Sequence, residues 1–229
     1  VIIYSAMDLS DRLNMKYWLH PLFDVLVALN IDVVMDVIAV RVGYWSWGIP
    51  LTGEWFGVHY GNFFGWISVT FLYSFWIRVM RKAKKTERFP RLTVFYPFFA
   101  TGLSLLCLPI MGELIRQSLL SLSVLTGIGF ETIQLSLLIV ICSCFSISVL
   151  IDVFQHENRG FSSETVELIP ASIPIFLHVF FIVLTVTIVN TQQAILLLIA
   201  VIMLVSATVV HLGPLIFHRC SCFQKMNKR

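Results

Sequence analysis

Hydrophobic residues in this chain are gathered into runs long enough to cross a bilayer. About 20 apolar residues in a helix are needed to span the hydrocarbon core. From Ala194 to Phe217 the only ionisable group is His211, and between Thr132 and Ile151 there is none. The pattern predicts six spans: Trp18–Val40, Phe63–Ile77, Leu92–Met111 with Pro97 and Pro109 inside it, Thr132–Ile151, Leu168–Val189 and Ala194–Phe217. Proline is tolerated in such helices where neighbouring groups satisfy the freed carbonyl. The mixed stretch from Gly112 to Glu131 reads as an interfacial helix. The expected fold is therefore an all-α, polytopic transmembrane helix bundle of about six spans, forming one membrane-embedded domain over residues 1–229. The chain begins at Val1, which reads as a piece of a longer protein with a further helix upstream.

Composition agrees with this reading. Of 229 residues, 58% are hydrophobic and 13% charged, and the mean hydropathy is +0.86; a soluble domain carries about a quarter charged residues. The net charge of +3 is too small to indicate a nucleic-acid partner. The location of the charge matters more. Arg78, Arg81, Lys82, Lys84, Lys85, Arg88 and Arg91 form the densest basic cluster. By the positive-inside rule that loop is expected in the cytoplasm. The loop from Asp152 to Glu167 and the tail with Arg219, Lys225, Lys228 and Arg229 then share its side. The uncharged Asn190–Gln193 turn and the stretch from Arg41 to Asn62 fall on the other. The five cysteines, Cys107, Cys142, Cys144, Cys220 and Cys222, show no metal-type spacing and no disulfide framework.

The first span is the chemically unusual one, because it carries Asp24, Asn30, Asp32 and Asp36. At 3.6 residues per turn the three aspartates occupy an arc of about 120°. A carboxylate within a span is costly and normally faces the bundle interior. Burial and crowding favour the neutral acid, the form a general acid requires. Asp36 and Asp32 are the candidate acids. The competing reading is that they only hydrogen-bond neighbouring helices. Asp24, one turn from His20, fits that structural role better. A stretch rich in glycine and aromatic residues follows: between Gly43 and Gly61 lie Tyr44, Trp45, Trp47, Trp55, Phe56 and Tyr60 with five glycines. Interfacial aromatic belts are ordinary in membrane proteins. Glycines interleaved with them point further, to a tightly folded, lid-like loop, and Arg41 is spaced to reach Asp36.

The order Asp36-Val37-Ile38-Ala39-Val40-Arg41-Val42-Gly43-Tyr44-Trp45-Ser46-Trp47, then Trp55-Phe56-Gly57-Val58 and Gly61-Asn62-Phe63-Phe64-Gly65-Trp66, resembles the carotenoid biosynthesis membrane-protein family, which includes carotenoid hydratases such as bisanhydrobacterioruberin hydratase. The resemblance covers about Asp32 to Trp66. One position departs from it: the proline expected after Gly57-Val58 is His59, which bears on the choice of substrate. The resemblance implies addition of water to the terminal double bond of an acyclic carotenoid, with no metal and no other cofactor. It also implies membrane lipid and a long isoprenoid as partners, and contacts with other enzymes of the pathway. In that chemistry Asp36, then Asp32, donates the proton. Tyr44, Trp45 and Trp47 face the developing cation, Asn62 or His59 holds the water, and Arg41, Trp55, Phe56 and Trp66 complete the substrate site.

Other candidates carry less. Glu113 and Arg116 are spaced as an interfacial ion pair. His178 and His211 are single histidines on apolar helices, and His156-Glu157 lacks a second histidine one turn on. Two functions of other classes remain open: a transporter in which Asp32 and Asp36 relay protons or bind a cation, and a non-catalytic lipid-binding membrane protein.

Overall fold

The computed structural model describes residues 1–13, 15–85, 95–155, 168–187 and 193–226. They form seven α-helices: α1 (Ile2–Arg12), α2 (His20–Arg41), α3 (Tyr60–Lys85), α4 (Tyr96–Thr126), α5 (Phe130–Gln155), α6 (Leu168–Thr187) and α7 (Gln193–Met226). Four contain segments long and apolar enough to cross a membrane: Tyr60–Ala83, Tyr96–Thr126, Phe130–Asp152 and Ala194–Leu212. The apolar part of α6, Ser172–Thr187, is shorter, and α2 has ample length but carries three aspartates. The described residues are thus those of an all-α membrane protein and include four long apolar helices, where the sequence suggests about six spans.

α3 and α7 run past the expected spans, to Lys85 and Met226 rather than Ile77 and Phe217, and two further features differ from expectation. The stretch from Gly112 to Glu131 is not a separate interfacial helix. α4 runs unbroken for 31 residues through Pro109 and stops at Gly127, whose φ of 68° is the left-handed cap glycine accepts readily. The second difference is α1, which precedes the first expected span and buries Ser5, Ala6, Met7, Leu9 and Ser10. Arg88, Arg91, residues 156–167, the turn at 190–192, Lys228 and Arg229 lie outside the described residues, as do the side chains of Lys84, Lys85, Arg219, Cys220, Cys222 and Lys225.

The architecture is a polar helix wrapped by apolar ones. α2 packs against α1, α3, α5, α6 and α7, and 15 of its 22 residues are buried, Asp24, Asp32 and Asp36 among them. Pro21 starts it, in the first turn, where a missing N–H is harmless. It ends in a Schellman turn: Gly43, at φ 79°, lets Tyr44 N–H reach Ala39 O at 2.9 Å and its own N–H reach Val40 O at 3.2 Å. α4 shows the opposite character. Leu105, Leu106, Ile110 and Leu114 are each more than 60% exposed. A row of bare leucine and isoleucine belongs against hydrocarbon rather than water.

One end of α2 is tied by charge. Asp24 Oδ2 accepts from Arg78 Nη1 at 2.6 Å and Ser74 Oγ at 2.5 Å, and its Oδ1 accepts from Ser10 Oγ at 2.6 Å. Arg78 also donates to Asp11 at 2.9 Å, and Arg81 to the other oxygen of Asp11 at 2.8 Å. Three helices, α1, α2 and α3, are held by this network. His20 lies toward Asp11, at 3.7 Å, so Asp24 is answered by an arginine and two serines rather than by the histidine one turn away. Arg78, counted by sequence among the loop cations, is buried inside the bundle at 4% exposure.

Breaking a buried pair leaves one charge without compensation, typically at a cost of about 3–5 kcal/mol, whereas replacing both members by apolar groups of similar size is often neutral. Asp24→Leu alone is therefore expected to lower the unfolding temperature in detergent sharply. The double variant Asp24→Leu/Arg78→Met is expected to recover a large part of that loss, which thermal unfolding of both proteins measures.

Candidate functional site

The other two aspartates meet at the opposite end of α2. Asp32 and Asp36 lie about 14 and 8 Å from Arg41 along the helix axis, at 0% and 4% exposure. Asn62, in the first turn of α3, answers both: its Nδ2 donates to Asp36 Oδ2 at 2.6 Å and to Asp32 Oδ2 at 3.2 Å. The two carboxyl groups are also within hydrogen-bonding reach of each other, and Trp66 reaches Asp36. Asp32 Oδ1 is buried with no hydrogen-bond partner. Asn62 and Trp66, four residues apart, stand on one face of α3.

That face borders a cavity of about 1030 Å³. α3 supplies Asn62, Phe64, Gly65, Trp66 and Val69. α4 supplies Leu108, Ile115, Arg116 and Leu119, and α5 supplies Phe130, Glu131 and Gln134. Trp47, Glu54 and His59 come from the loop between α2 and α3. The walls are apolar with a few polar groups at one end, the usual character of a site for a small or hydrophobic ligand. Asp32 and Asp36 stand behind Asn62 and Trp66 rather than on the wall itself.

The loop is folded back tightly on the helices it joins. Trp55 Nε1 donates to Val33 O of α2 at 2.9 Å, and its ring meets Phe56 and Phe63 edge-on. Arg41 Nη1 donates to Phe56 O at 2.9 Å, with the guanidinium 5.9 Å from the Phe56 ring centre. Glu54 accepts from the Tyr60 N–H at 2.6 Å, closing the N-terminus of α3, and its other oxygen pairs with His59. A carboxylate is favoured there because the first N–H groups of a helix lack partners and the helix dipole is positive at that end. Trp47 stands edge-on to His59. The turn requires left-handed backbone at Glu54 (φ 36°), Phe56 (φ 51°) and Gly57 (φ 93°).

Of the expected site residues, the structure brings Asp32, Asp36, Asn62 and Trp66 into one cluster. It sets His59 and Trp47 on the cavity wall. Arg41, Trp55 and Phe56 form the foot of the loop. Tyr44 and Trp45 point outward at 79% and 44% exposure and do not line the cavity. Sequence reasoning missed Glu54 and Gln134. Glu54 is the one carboxylate between Asp36 and Tyr60 and stands six residues before a helix, a signal that was available. Gln134 on an apolar helix gave no comparable sign. Glu113 and Arg116 form the expected pair at 2.7 Å, both half exposed, with Arg116 at the rim of the cavity. His178 Nε2 lies 2.7 Å from Asn30 Oδ1, and Asn30 donates to Ser206 at 2.9 Å, joining α2, α6 and α7 away from the cavity. Among the described residues, no group of three or more His, Cys, Asp or Glu is placed to hold a metal ion.

A Cβ on Gly57 would lie 3.2 Å from Leu51 Cα and 3.1 Å from Leu51 Cδ2, whereas one on Gly48 would meet nothing within 4 Å. Both glycines have positive φ, a conformation costing roughly 1–3 kcal/mol for other residues. Gly57→Ala is expected to loosen the loop well beyond Gly48→Ala, because backbone collision adds to the strain. Limited proteolysis within residues 42–59 should then be faster in Gly57→Ala than in Gly48→Ala; equal rates would place the loop's rigidity elsewhere.

No curated protein and no solved structure matches the chain. The family model described as carotenoid biosynthesis protein matches residues 2–130, more than half of the 229. The matched part contains α1 to α4, the whole Asp24–Arg78 network and the whole Asp32–Asp36–Asn62–Trp66 cluster. The chain belongs to the carotenoid biosynthesis protein family.

Proposed function

We propose that the chain is a membrane-embedded carotenoid hydratase, which adds water across the terminal double bond of an acyclic carotenoid. The observation that carries this reading is the pair of buried carboxyl groups bridged by Asn62, which itself lines an apolar cavity, in a chain of the carotenoid biosynthesis family. Repulsion between two carboxylates at such close quarters is relieved when a proton stays with the pair. Asp36 gives this proton to the less substituted carbon of the isopropylidene double bond, leaving a tertiary cation. A water molecule forms the new C–O bond, and the proton it sheds returns to the carboxyl pair. The product is a tertiary alcohol, one water heavier than the substrate, and the acid is regenerated.

Each neighbouring group has a place in this scheme. Asn62 fixes the orientation of the carboxyl groups, and Asp32 supports Asp36 as the second acid. Trp66 and Trp47 present ring faces to positive charge, an interaction worth about 0.5–2 kcal/mol per ring. His59, held by Glu54, holds the attacking water. The apolar wall excludes other water, so the cation is captured at one place.

Six spans, with α2 and α6 as the additional two, fit the scheme. The basic end of α3 and the C-terminal tail then face the cytoplasm, and the loop over the cavity faces the opposite side. Membrane lipid and the isoprenoid are the expected partners, and neighbouring enzymes of the pathway supply the substrate. A relay of protons is the second reading. It is favoured by the His178–Asn30–Ser206 chain and by the buried His211, which place polar groups on α2, α6 and α7 as well. Proton flux through vesicles containing the purified protein would support it, whereas a mass change in the polyene would not.

Expression in cells that accumulate an acyclic carotenoid is expected to yield pigment one or two waters heavier. Asp36→Asn should reduce that conversion by at least the hundredfold typical of general acid catalysis, while Asp32→Asn should reduce it less. Full activity in Asp36→Asn, read by mass spectrometry of the pigment, would remove the acid from the scheme. Orientation has its own check. Ser46→Cys, on the exposed part of the loop, is expected to react with a membrane-impermeant maleimide on intact cells, and a cysteine that reacts only after lysis would reverse the topology.

A further inference from the structure

A second cavity, of about 550 Å³, lies on the same seam as the first. It is lined by Ile3 and Met7 of α1, Tyr73, Ile77 and Arg81 of α3, and Tyr96 of α4. Trp66 lines it too and is therefore the shared wall of both cavities. On α3, Asn62, Trp66, Tyr73, Ile77 and Arg81 fall within an arc of about 100°, so the two cavities lie on one face of one helix. From Asn62 to Arg81 that face is about 28 Å long, close to the roughly 30 Å of a bilayer's hydrocarbon core. α4 runs beside it for the whole length: Tyr96 and Pro97 face the far cavity, and Leu108 to Leu120 face the near one.

We infer that the two cavities are one groove for a linear isoprenoid, which lies along α3 across the membrane with its reacting end at Asn62 and its other end beyond Trp66, beside Tyr73 and Tyr96. This rests on the hydratase reading for the identity of the reacting end. It adds how the remainder of the molecule is held and what length of molecule is selected. An extended C40 polyene is a rigid rod comparable in length to the hydrocarbon core, and a compact pocket at Asn62 would hold only its tip. The far cavity supplies the contacts that a short isoprenoid cannot reach. Trp66, between the two, is the ring over which such a rod would pass. The polar ends of the groove also differ in kind: carboxyl groups stand behind Asn62, and a cation, Arg81, lines the far end.

Two measurements test the groove. The first uses lycopene as the probe and benzoylphenylalanine as a photo-crosslinker, placed singly at Leu108 in the near cavity, at Tyr96 in the far one and at the outward-facing Ile147 of α5, which is 55% exposed. Crosslinks at 108 and 96 with none at 147 are expected. A crosslink at 108 without one at 96 overturns the groove and leaves the hydratase reading standing. Crosslinks at both positions, in a protein that never hydrates lycopene, retain the groove and sink the hydratase reading. The second measurement compares lycopene with β-farnesene, which shares the isopropylidene end but is far shorter. Ile3→Trp and Tyr73→Trp each fill the far cavity from a different helix. Both are expected to lower the preference for lycopene over β-farnesene at least tenfold, and an unchanged preference in both variants overturns the groove.

Discussion

A carboxyl group placed in an apolar helix has to be answered by a group on a neighbouring helix, and the arrangement of this protein follows from where those answers come. α2 carries three such groups, and α3 answers all of them. Asp36 meets Asn62 at 2.6 Å and Asp24 meets Ser74 at 2.5 Å. The separation is 12 residues along each helix, in opposite directions. Two polar contacts therefore fix the antiparallel register of α2 and α3 at points about 18 Å apart. Apolar packing tolerates small slips between helices, since one leucine substitutes for another at little cost. A carboxyl group tolerates none, because a lost partner leaves it buried and unsatisfied.

The same register brings the loop into position. With the last turns of α2 and the first turns of α3 held side by side, residues 42–59 must turn back over their junction. They do so with side chains that satisfy main-chain groups: Trp55 on Val33 O, Arg41 on Phe56 O, Glu54 on the Tyr60 N–H. Left-handed backbone at Glu54, Phe56 and Gly57 is held against strain by these contacts. The outer part of the loop, with Tyr44 and Trp45, lies at the surface, where interfacial aromatic residues ordinarily reside.

Much of this was legible in the sequence, and the exceptions have a common cause. Long apolar runs located where α3 to α7 begin to within a few residues, though not where α3, α4 and α7 end, because apolar length is a property of one segment alone while a helix may continue into polar residues. Asp32 and Asp36 were legible as a pair, because the period of the helix decides which residues share a face. Partnerships between segments were not. Nothing local distinguishes Arg78, which folds into the bundle, from Lys82 in the same basic run, whose ammonium lies over the Tyr17 ring. α1 is not legible in the sequence because its value lies in Ser10 and Asp11, polar residues that matter only once Asp24 and Arg78 stand opposite. The unbroken course of α4 past Met111 was hidden by Glu113, Arg116 and Gln117, which read as an interface until their mutual hydrogen bonds are seen.

The three carboxyl groups of α2 also bear on how the chain is made. Each acidic residue at the centre of a helix adds about 2.5–3.5 kcal/mol to the free energy of insertion through the translocon, so α2 on its own partitions poorly into lipid. The groups that would offset this, Asn62, Ser74 and Arg78, leave the ribosome only after the loop has been synthesised. α2 therefore has reason to wait at the membrane surface or in the translocon until α3 follows, and to enter with it as a hairpin whose polar sides already face one another. Were α2 to cross the membrane as proposed, Asp24 and Asn62 would direct biogenesis as well as architecture, making the second and third helices a single unit of insertion.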